Sequence, residues 1–300
     1  MKKSLMTLAL AALASGAVFA QANDTLAKIK SKGEITLGTR DSSGALAYTI
    51  GDGKYVGFHT EMSENIAADI AKQLGVSNLK VNKQLVTSQN RIPLVVNGTV
   101  DLECGSTTNN LARQKDVAFA VTTYVEEVRI AVKADSGITS IKDLNGKNVV
   151  TTTGTTSVQT LRKNERATGV DFKEIMGKDH ADSFLLLESG RADAFVMDGS
   201  ILAANIAKSK NPADFKIVGE VLSVEPIACM LRKDDAAFKK AVDGSIQGMI
   251  KSGEMAKLYD KWFMQPIPPA NTRIGLPLSE ATKAAWANPN DKPMEDYAKK

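Results

Sequence analysis

Residues 92–104 read Ile-Pro-Leu-Val-Val-Asn-Gly-Thr-Val-Asp-Leu-Glu-Cys, and this stretch decides the fold class. Pro93 near the start and Asn97-Gly98 at the end are typical boundaries of a short helix. Val100 to Cys104 then predicts a short strand. A helix followed at once by a strand is half of a βαβ unit, so the stretch indicates an α/β fold.

The same alternation extends to both sides of this stretch. Upstream, apolar residues recur every four positions from Met62 to Leu74, which predicts a helix that ends at Gly75. Downstream, a second βαβ unit begins near Val128. The repeated order predicts parallel sheets with crossover helices. The predicted strands are residues 33–39, 79–86, 100–104, 147–152, 172–175 and 192–197, and further helical segments start near Val158 and cover Phe184 to Leu187.

The composition is that of a folded globular protein of about two domains. The chain has 300 residues, 43% hydrophobic and 24% charged, which excludes a disordered or fibrous chain. A formal net charge of +4 without a clustered basic face gives no reason to expect a nucleic-acid partner. Two histidines and two distant cysteines do not suit a multi-ligand metal site, so we expect no metal and no cofactor.

Residues 1–20 have the composition of a secretory signal peptide. Lys2 and Lys3 precede an apolar run from Leu5 to Val18, and small residues follow. Cleavage after Ala20 is predicted, with cleavage after Ala22 as the alternative. A membrane anchor is the weaker interpretation, because the run is shorter than the ~20 apolar residues that span a bilayer. The mature chain is therefore expected to be periplasmic.

Export gives the two cysteines a possible role. Cys104 and Cys229 would form a disulfide in an oxidising compartment if the fold brings them together. The alternative is two buried thiols that pack as small apolar side chains.

Several motifs, each weak alone, occur here in a family's order and spacing. The chain resembles the periplasmic solute-binding proteins of polar amino-acid ABC uptake systems, and most closely the members that bind glutamate and aspartate. The family's Phe-Ser-x-Pro-Tyr is here Phe119-Ala-Val-Thr-Thr-Tyr124, without the proline. The motifs that carry the resemblance are Gly57-Phe58, residues 98–101, 105–113, 144–147, 154–157 and 187–195.

The resemblance implies a two-lobed α/β fold of the type II binding-protein class, in which each lobe is a sheet flanked by helices. Lobe 1 would comprise residues 21–124 plus 226–300, and lobe 2 residues 128–221. Two crossovers, near 123–127 and 222–226, would join the lobes, which close on a ligand in the cleft. Cys104 and Cys229 would then lie in one sheet of lobe 1, and we expect a monomer.

An α-amino acid needs a cation, hydrogen-bond donors and a carboxylate in its site. Arg113, expected at the start of a helix, could hold the α-carboxylate bidentately. Unpaired N–H groups at the helix start near Thr155 and Thr156 could add donors, and Asp198 could pair with the ammonium. The resemblance supports these roles together with Ser106 and Thr108. The structural alternatives are a solvated arginine, an ordinary helix cap and a turn aspartate.

A second anion subsite distinguishes this chain. The resemblance implies that Arg40, Ser88, Arg91 and His180 hold the side-chain carboxylate of the ligand. Two arginines beyond the one required by an α-carboxylate disfavour a neutral ligand, because an unpaired buried charge is costly. A protonated His180 would add a donor and a positive charge. The alternatives are surface arginines and a histidine that only begins a helix.

The predicted function is the binding of L-glutamate or L-aspartate and its delivery to an inner-membrane ABC permease. An exported enzyme on the same scaffold, similar to a dehydratase, is the alternative, because the fold alone does not separate the two. The sequence contains no Gly-x-Ser-x-Gly, His-Glu-x-x-His or phosphate-loop motif, and we expect no catalytic residues. A sensor domain is disfavoured, since no membrane segment or signalling domain follows.

Overall fold

The computed structural model describes residues 24–297. The predicted signal peptide, residues 1–20, and both candidate cleavage positions lie outside the described residues. The helices are α1 (Thr25–Lys32), α2 (Phe58–Leu74), α3 (Arg91–Val96), α4 (Thr156–Thr168), α5 (His180–Glu188), α6 (Gly199–Lys208), α7 (Ala236–Ser252), α8 (Glu254–Tyr259), α9 (Glu280–Ala287) and α10 (Met294–Tyr297). The strands are β1 (Glu34–Thr39), β2 (Ser42–Ser43), β3 (Ala47–Thr49), β4 (Tyr55–Val56), β5 (Lys80–Leu85), β6 (Leu102–Glu103), β7 (Val117–Phe119), β8 (Tyr124–Lys133), β9 (Asn148–Thr152), β10 (Lys173–Gly177), β11 (Ala194–Asp198), β12 (Phe215–Ile227), β13 (Met230–Arg232), β14 (Pro266–Ile267) and β15 (Thr272–Arg273).

The predicted alternation of helices and strands is confirmed. Helix α2 ends where Gly75 adopts a left-handed conformation (φ 69°), and the Gly75 N–H bonds back to carbonyls of the last turn. Helix α3 runs from Arg91 to Val96 and leads into β6, as the opening stretch predicts. The third strand is shorter than expected, because only Leu102 and Glu103 pair within the sheet.

The first sheet has the strand order β5-β1-β6-β13-β7, and the parallel arrangement predicted for the strands of its βαβαβ unit is confirmed. Strand β1 is parallel to both β5 and β6, whereas β13 is antiparallel to β6 and β7. Strand β13 follows β12 after two residues and enters this sheet from the edge at which β6 ends, so it runs in the opposite direction. We call this sheet and its helices lobe 1.

The second sheet, with its helices, forms lobe 2 and has the order β10-β9-β11-β8-β12. Here too the strands linked through helices are parallel, since β9 is parallel to both β10 and β11. The long strand β8 is antiparallel to both of its neighbours, β11 and β12. The first residues of β8 pair with the last residues of β12, from Tyr124 opposite Ile227 to Val128 opposite Ser223. The lobes are thus connected by a two-stranded antiparallel ladder. The carboxyl ends of the parallel strands in both sheets face the space between the lobes, which we call the cleft.

Each lobe has its own hydrophobic core. In lobe 1, Phe58, Tyr259 and Phe263 pack their rings together, with Phe263 stacked on Tyr259 at 4.3 Å between centroids. The predicted disulfide between Cys104 and Cys229 is confirmed and lies in this core. It closes a sequence separation of 125 residues, which on chain entropy stabilises the fold by about 5 kcal/mol.

The C-terminal segment packs against the connection between the lobes. The Trp286 indole N–H donates to the Thr123 carbonyl at 2.8 Å, and the Val125 N–H donates to the Thr282 hydroxyl at 3.0 Å. Within residues 24–297, no helix has the length and apolar character of a membrane span.

Candidate ligand-binding site

The chain brings the predicted site residues to the cleft from both lobes. Lobe 1 contributes residues that follow β1, β5 and β6, and lobe 2 contributes residues at the ends of β9, β10 and β11. Apart from the half-buried Arg113, every predicted contact is buried. The buried set is Arg40, Ser88, Arg91, Ser106, Thr108, Thr155, Thr156, His180 and Asp198.

Arg40 is fully buried and is held by protein side chains from both lobes. Its Nη2 donates to Ser88 Oγ at 3.0 Å and to Asp179 Oδ1 at 3.2 Å, and it lies 3.2 Å from His180 Nε2. Its Nη1 is 3.4 Å from Ser106 Oγ, a long hydrogen bond, and its Nε has no partner among the described residues. Three predicted site residues therefore converge on a single guanidinium.

His180 is a neutral hydrogen-bond acceptor in this network. Because Arg40 only donates, His180 Nε2 must accept, and Nδ1 then carries the proton and donates to Thr152 Oγ1 at 3.0 Å. Burial, together with the positive charges of Arg40 and Arg91, lowers the pKa of His180 to about 3. His180 is therefore neutral while only the two arginines stand beside the imidazole, and a cationic His180 next to a ligand carboxylate stays a prediction.

Arg91, in contrast, is buried with part of its guanidinium unbonded. Its Nε and Nη1 have no hydrogen-bond partner among residues 24–297, although the residue is only 2% exposed. Burial and the neighbouring charge of Arg113 lower the pKa of Arg91 well below its usual range. A buried guanidinium with unbonded nitrogens raises the free energy of the folded protein, and an anion that bonds to these nitrogens would lower it.

Asp198 is the corresponding unpaired anion. It ends β11, is 2% exposed, and its Oδ1 has no partner within the described part of the chain. Burial and the negative charges of Glu126 and Glu225 raise the pKa of Asp198 well above its usual range. The carboxylate therefore carries a proton more readily than usual unless a cation enters beside it.

Glu126 and Glu225 face each other across the ladder between the lobes, and sequence reasoning missed both. Glu225 Oε2 accepts from the hydroxyls of Thr108 and Thr156, each at 2.6 Å, and so joins the two lobes. Glu126 accepts from the backbone and hydroxyl of Ser200. Burial raises the pKa of Glu126 to about 7. Their cross-strand register, set by residues about a hundred positions apart, is not visible in the local sequence pattern.

Arg113 lies at the other end of the cleft. It begins a helix, as expected, but this is a short 3₁₀ helix, Arg113–Lys115, because the chain enters β7 at Val117. Its Nη1 donates to the Thr108 carbonyl at 2.8 Å and its Nη2 to the Gly154 carbonyl at 3.3 Å, one in each lobe. A cavity of about 390 Å³ outside this end is lined by Arg113, Thr155 and Thr156, among others.

The start of α4 lies close to the backbone of lobe 1. Gly154 has φ 80°, and a Cβ there would lie 2.7 Å from Gln89 Cα, so only glycine permits this approach. Thr155 is the N-cap, but its hydroxyl donates to the Thr152 carbonyl and does not cap the helix. The first N–H groups of α4 are therefore not capped by the Thr155 side chain and remain suitable for an anion.

Asp179 and Ser42 also belong to this region and were not predicted. Asp179 forms the ion pair with Arg40 and accepts from Ser42 Oγ at 2.9 Å. Burial alone would raise the pKa of Asp179, but the positive charge of Arg40 and the hydrogen bond from Ser42 outweigh it and hold the pKa below its usual value. An aspartate just before a helix is ordinarily interpreted as a cap, so the local sequence contains no separate signal for this contact.

Comparison with known proteins identifies the family. The family described as bacterial extracellular solute-binding proteins, family 3, matches residues 35–265. The chain is 47% identical over 97% of its length to the L-glutamate/L-aspartate-binding protein of Pseudomonas aeruginosa, of which it covers 97%. It is 45% identical over 95% of its length to the glutamate/aspartate import solute-binding protein of Escherichia coli K12, again covering 97% of that protein.

A solved structure gives the same result for the fold. The crystal structure of an ancestral amino acid-binding protein, a precursor of cyclohexadienyl dehydratase, superposes with a TM-score of 0.69 at 29% identity. The match covers 80% of this chain and 99% of that one. The fold is thus the two-lobed type II binding-protein fold that the resemblance implied, and the chain belongs to family 3 of the bacterial extracellular solute-binding proteins.

Proposed function

We propose that the protein captures an acidic amino acid, L-glutamate or L-aspartate, in the cleft and delivers it to an ABC permease. One observation carries this proposal: Arg91 and Asp198 are both buried, ionise with opposite sign, and each has side-chain atoms without a hydrogen-bond partner among the described residues. A ligand that carries both an anion and a cation would compensate the two charges at once. Two relatives are named as proteins that bind or import glutamate and aspartate, which supports the same ligand here.

The proposed contacts divide the cleft into three subsites. Asp198 pairs with the ligand ammonium. The α-carboxylate is held by Arg113, by the hydroxyls of Ser106 and Thr108, and by the start of α4 at Thr155 and Thr156. The side-chain carboxylate is held by Arg40, Ser88, Arg91 and His180, and His180 donates to it from a protonated Nε2.

We further propose that the chain is exported and cleaved after Ala20 or Ala22, and that it acts in the periplasm as a monomer. Lobe 1 would span residues 21–124 plus 226–300 and lobe 2 residues 128–221, and ligand would bring them together. A binding protein rather than an enzyme is the function of the near full-length relatives. Both ring nitrogens of His180 have partners, Thr152 and Arg40, which fix the imidazole in place. A fixed imidazole favours a role in ligand binding over a role in proton transfer.

Isothermal titration calorimetry with L-glutamate, L-aspartate and L-glutamine tests the proposal. We expect the two acidic amino acids to bind at least about a hundredfold more tightly than glutamine, because glutamine leaves the buried arginine charge uncompensated. Arg113→Ala should weaken all three ligands, since it contacts the group they share. Glutamine binding as tight as glutamate binding would overturn the acidic-ligand assignment, and turnover of any ligand would restore the enzyme alternative.

A further inference from the structure

The start of helix α5 has an unusual cap. Asp179 is its N-cap residue, but the Asp179 side chain makes no capping hydrogen bond to its own helix in the described structure. An aspartate at this position ordinarily accepts the N–H of the second or third helical residue. Here the second residue, Ala181, donates its N–H to Ser42 Oγ of lobe 1 at 3.3 Å. The cap of a lobe 2 helix is thus supplied by lobe 1.

The released carboxylate of Asp179 is used across the cleft instead. Its Oδ1 lies 3.2 Å from Arg40 Nη2, and its Oδ2 accepts from Ser42 Oγ at 2.9 Å. Among the residues that the structure describes, this is the one ion pair made by any of the three site arginines, Arg40, Arg91 and Arg113. Ser42 therefore performs two tasks: it caps α5 and it orients the carboxylate that holds Arg40.

We propose that Asp179 and Ser42 exchange a helix cap across the cleft, and that this exchange makes Asp179 a positioning residue for Arg40. With the lobes apart, Ser42 is out of reach and the Asp179 side chain caps α5 itself. With the lobes together, Ser42 takes over the cap and Asp179 pairs with Arg40. The helix keeps a cap in both states, so closure gains the ion pair without losing the cap.

The exchange fixes which part of Arg40 faces the ligand. Nη2 is occupied by Ser88, Asp179 and His180, whereas Nε has no partner among residues 24–297 and Nη1 makes only the 3.4 Å contact. The nitrogens that remain for a ligand carboxylate are therefore Nε and Nη1. Asp179 acts through Arg40 and does not itself need to touch the ligand. This inference rests on the proposed function, because it assigns Arg40 to the side-chain carboxylate of an acidic amino acid.

The test compares Asp179→Asn, Ser42→Ala and the matched control Asp182→Asn. Asparagine caps a helix about as well as aspartate, so Asp179→Asn removes the charge that holds Arg40 without removing a cap. Asp182 is an exposed aspartate in the first turn of the same helix, and its side chain bonds the Lys178 N–H rather than Arg40. The probes are L-glutamate and L-glutamine, titrated by calorimetry, together with the melting temperature without ligand.

We expect Asp179→Asn to weaken glutamate about tenfold, to weaken glutamine much less, and to leave the melting temperature without ligand unchanged. Ser42→Ala should weaken glutamate by a smaller factor, and the double variant should lose less than the product of the two factors, because the two side chains act as one unit. Asp182→Asn should stay within about twofold of the wild type. Glutamate binding by Asp179→Asn within that same twofold would overturn the proposal. So would an equal loss for both ligands accompanied by a lower melting temperature, which would indicate a structural role.

Hydrogen exchange separates failure of this inference from failure of the proposed function. Because α5 keeps a cap in both states, the Ala181 amide of the wild type should stay protected with and without ligand, whereas in Ser42→Ala ligand should make it exchange faster while α4 keeps its protection. If the wild type prefers a neutral amino acid, the proposed function fails. The cap exchange is then tested by the same hydrogen-exchange measurement with that neutral amino acid as the ligand. Protection of Ala181 that is unchanged in Ser42→Ala would overturn the exchange even if glutamate binds tightly.

Discussion

Arg40 and Arg91 are equally inaccessible, yet the protein treats them in opposite ways. Arg40 is 0% exposed and has hydrogen-bond partners from both lobes, including the carboxylate of Asp179. Arg91 is 2% exposed and has no partner for Nε or Nη1 in the described structure. The two guanidiniums stand at the same edge of the same sheet, Arg40 after β1 and Arg91 at the start of α3.

The contrast separates a positioned group from an uncompensated one. A buried cation that already has hydrogen-bond partners in its own lobe is oriented before a ligand arrives, and the ligand adds to a network that is partly complete. A buried cation without one raises the free energy of the ligand-free protein, and a ligand anion recovers that cost on binding. Affinity should therefore depend most on Arg91, and stability without ligand most on Arg40.

The largest expected effect is the loss of glutamate affinity in Arg91→Met. Removal of a charged partner in a closed cleft should cost about 2–5 kcal/mol, or roughly 30- to several-thousand-fold in Kd. Glutamine, which makes no charged contact there, should lose far less. Calorimetry on this variant and on Arg191→Met, an exposed arginine of lobe 2, provides the comparison. Equal losses for glutamate and glutamine would show that Arg91 does not contact the side-chain carboxylate.

The next effect concerns stability without ligand, where the two arginines should differ in sign. Arg40→Met removes the charged hydrogen bonds to Ser88 and Ser106 within lobe 1, which do not depend on closure of the lobes, so the free energy of unfolding should fall by about 3 kcal/mol. Arg91→Met removes an unpaired buried charge and should raise it by about 1 kcal/mol. Urea denaturation of both variants measures the gap of about 4 kcal/mol. Destabilisation of the same size in both variants would remove the contrast between them.

The sequence was sufficient for the elements and for most of the site. Four-residue apolar spacing and a terminal glycine located α2, because both are properties of the chain within one helix. Arg40 and Asp198 were identified because each lies at the carboxyl end of a strand, where α/β sheets bind ligands. These are local signals, and the resemblance to a family supplied the ligand.

Features that depend on distant parts of the chain were missed. Glu126 and Glu225 meet only because β8 and β12 pair in a particular register. Asp179 looks like an ordinary helix cap until Ser42 of the other lobe takes over that role. The antiparallel direction of β13 and the lowered pKa of His180 were not predicted for the same reason, since chain entry and charge environment are set by tertiary structure.

The contrast between partnered and unpartnered groups extends to the carboxylates, and Glu126 provides a test through pH. Burial raises the Glu126 pKa from 4.5 to about 7, so the folded protein holds a proton that the unfolded chain releases between those values. The stability from Glu126 is therefore complete below about pH 4.5 and is lost as the pH rises to about 7. Glu126→Gln cannot titrate, so its stability relative to the wild type should rise by on the order of 3 kcal/mol across this range. Urea denaturation at each pH measures this difference, and a pH-independent difference would contradict the raised pKa.

The smallest effect is the pH dependence of binding, and its sign distinguishes two accounts of the site. In the ligand-free protein, burial and the neighbouring Glu126 and Glu225 favour the protonated form of Asp198. An ammonium beside Asp198 favours the carboxylate, so binding should release a proton, and glutamate affinity should increase with pH by up to about tenfold per unit.

A cationic His180 would give the opposite sign, because its charge would be lost as the pH rises. With its pKa lowered to about 3, His180 contributes no such loss near neutral pH. Titrations between about pH 6 and pH 8, in buffers with different heats of ionisation, measure both the slope and the proton count. His180→Gln should keep the slope, and an affinity that falls with rising pH in the wild type, but not in this variant, would restore the cationic histidine.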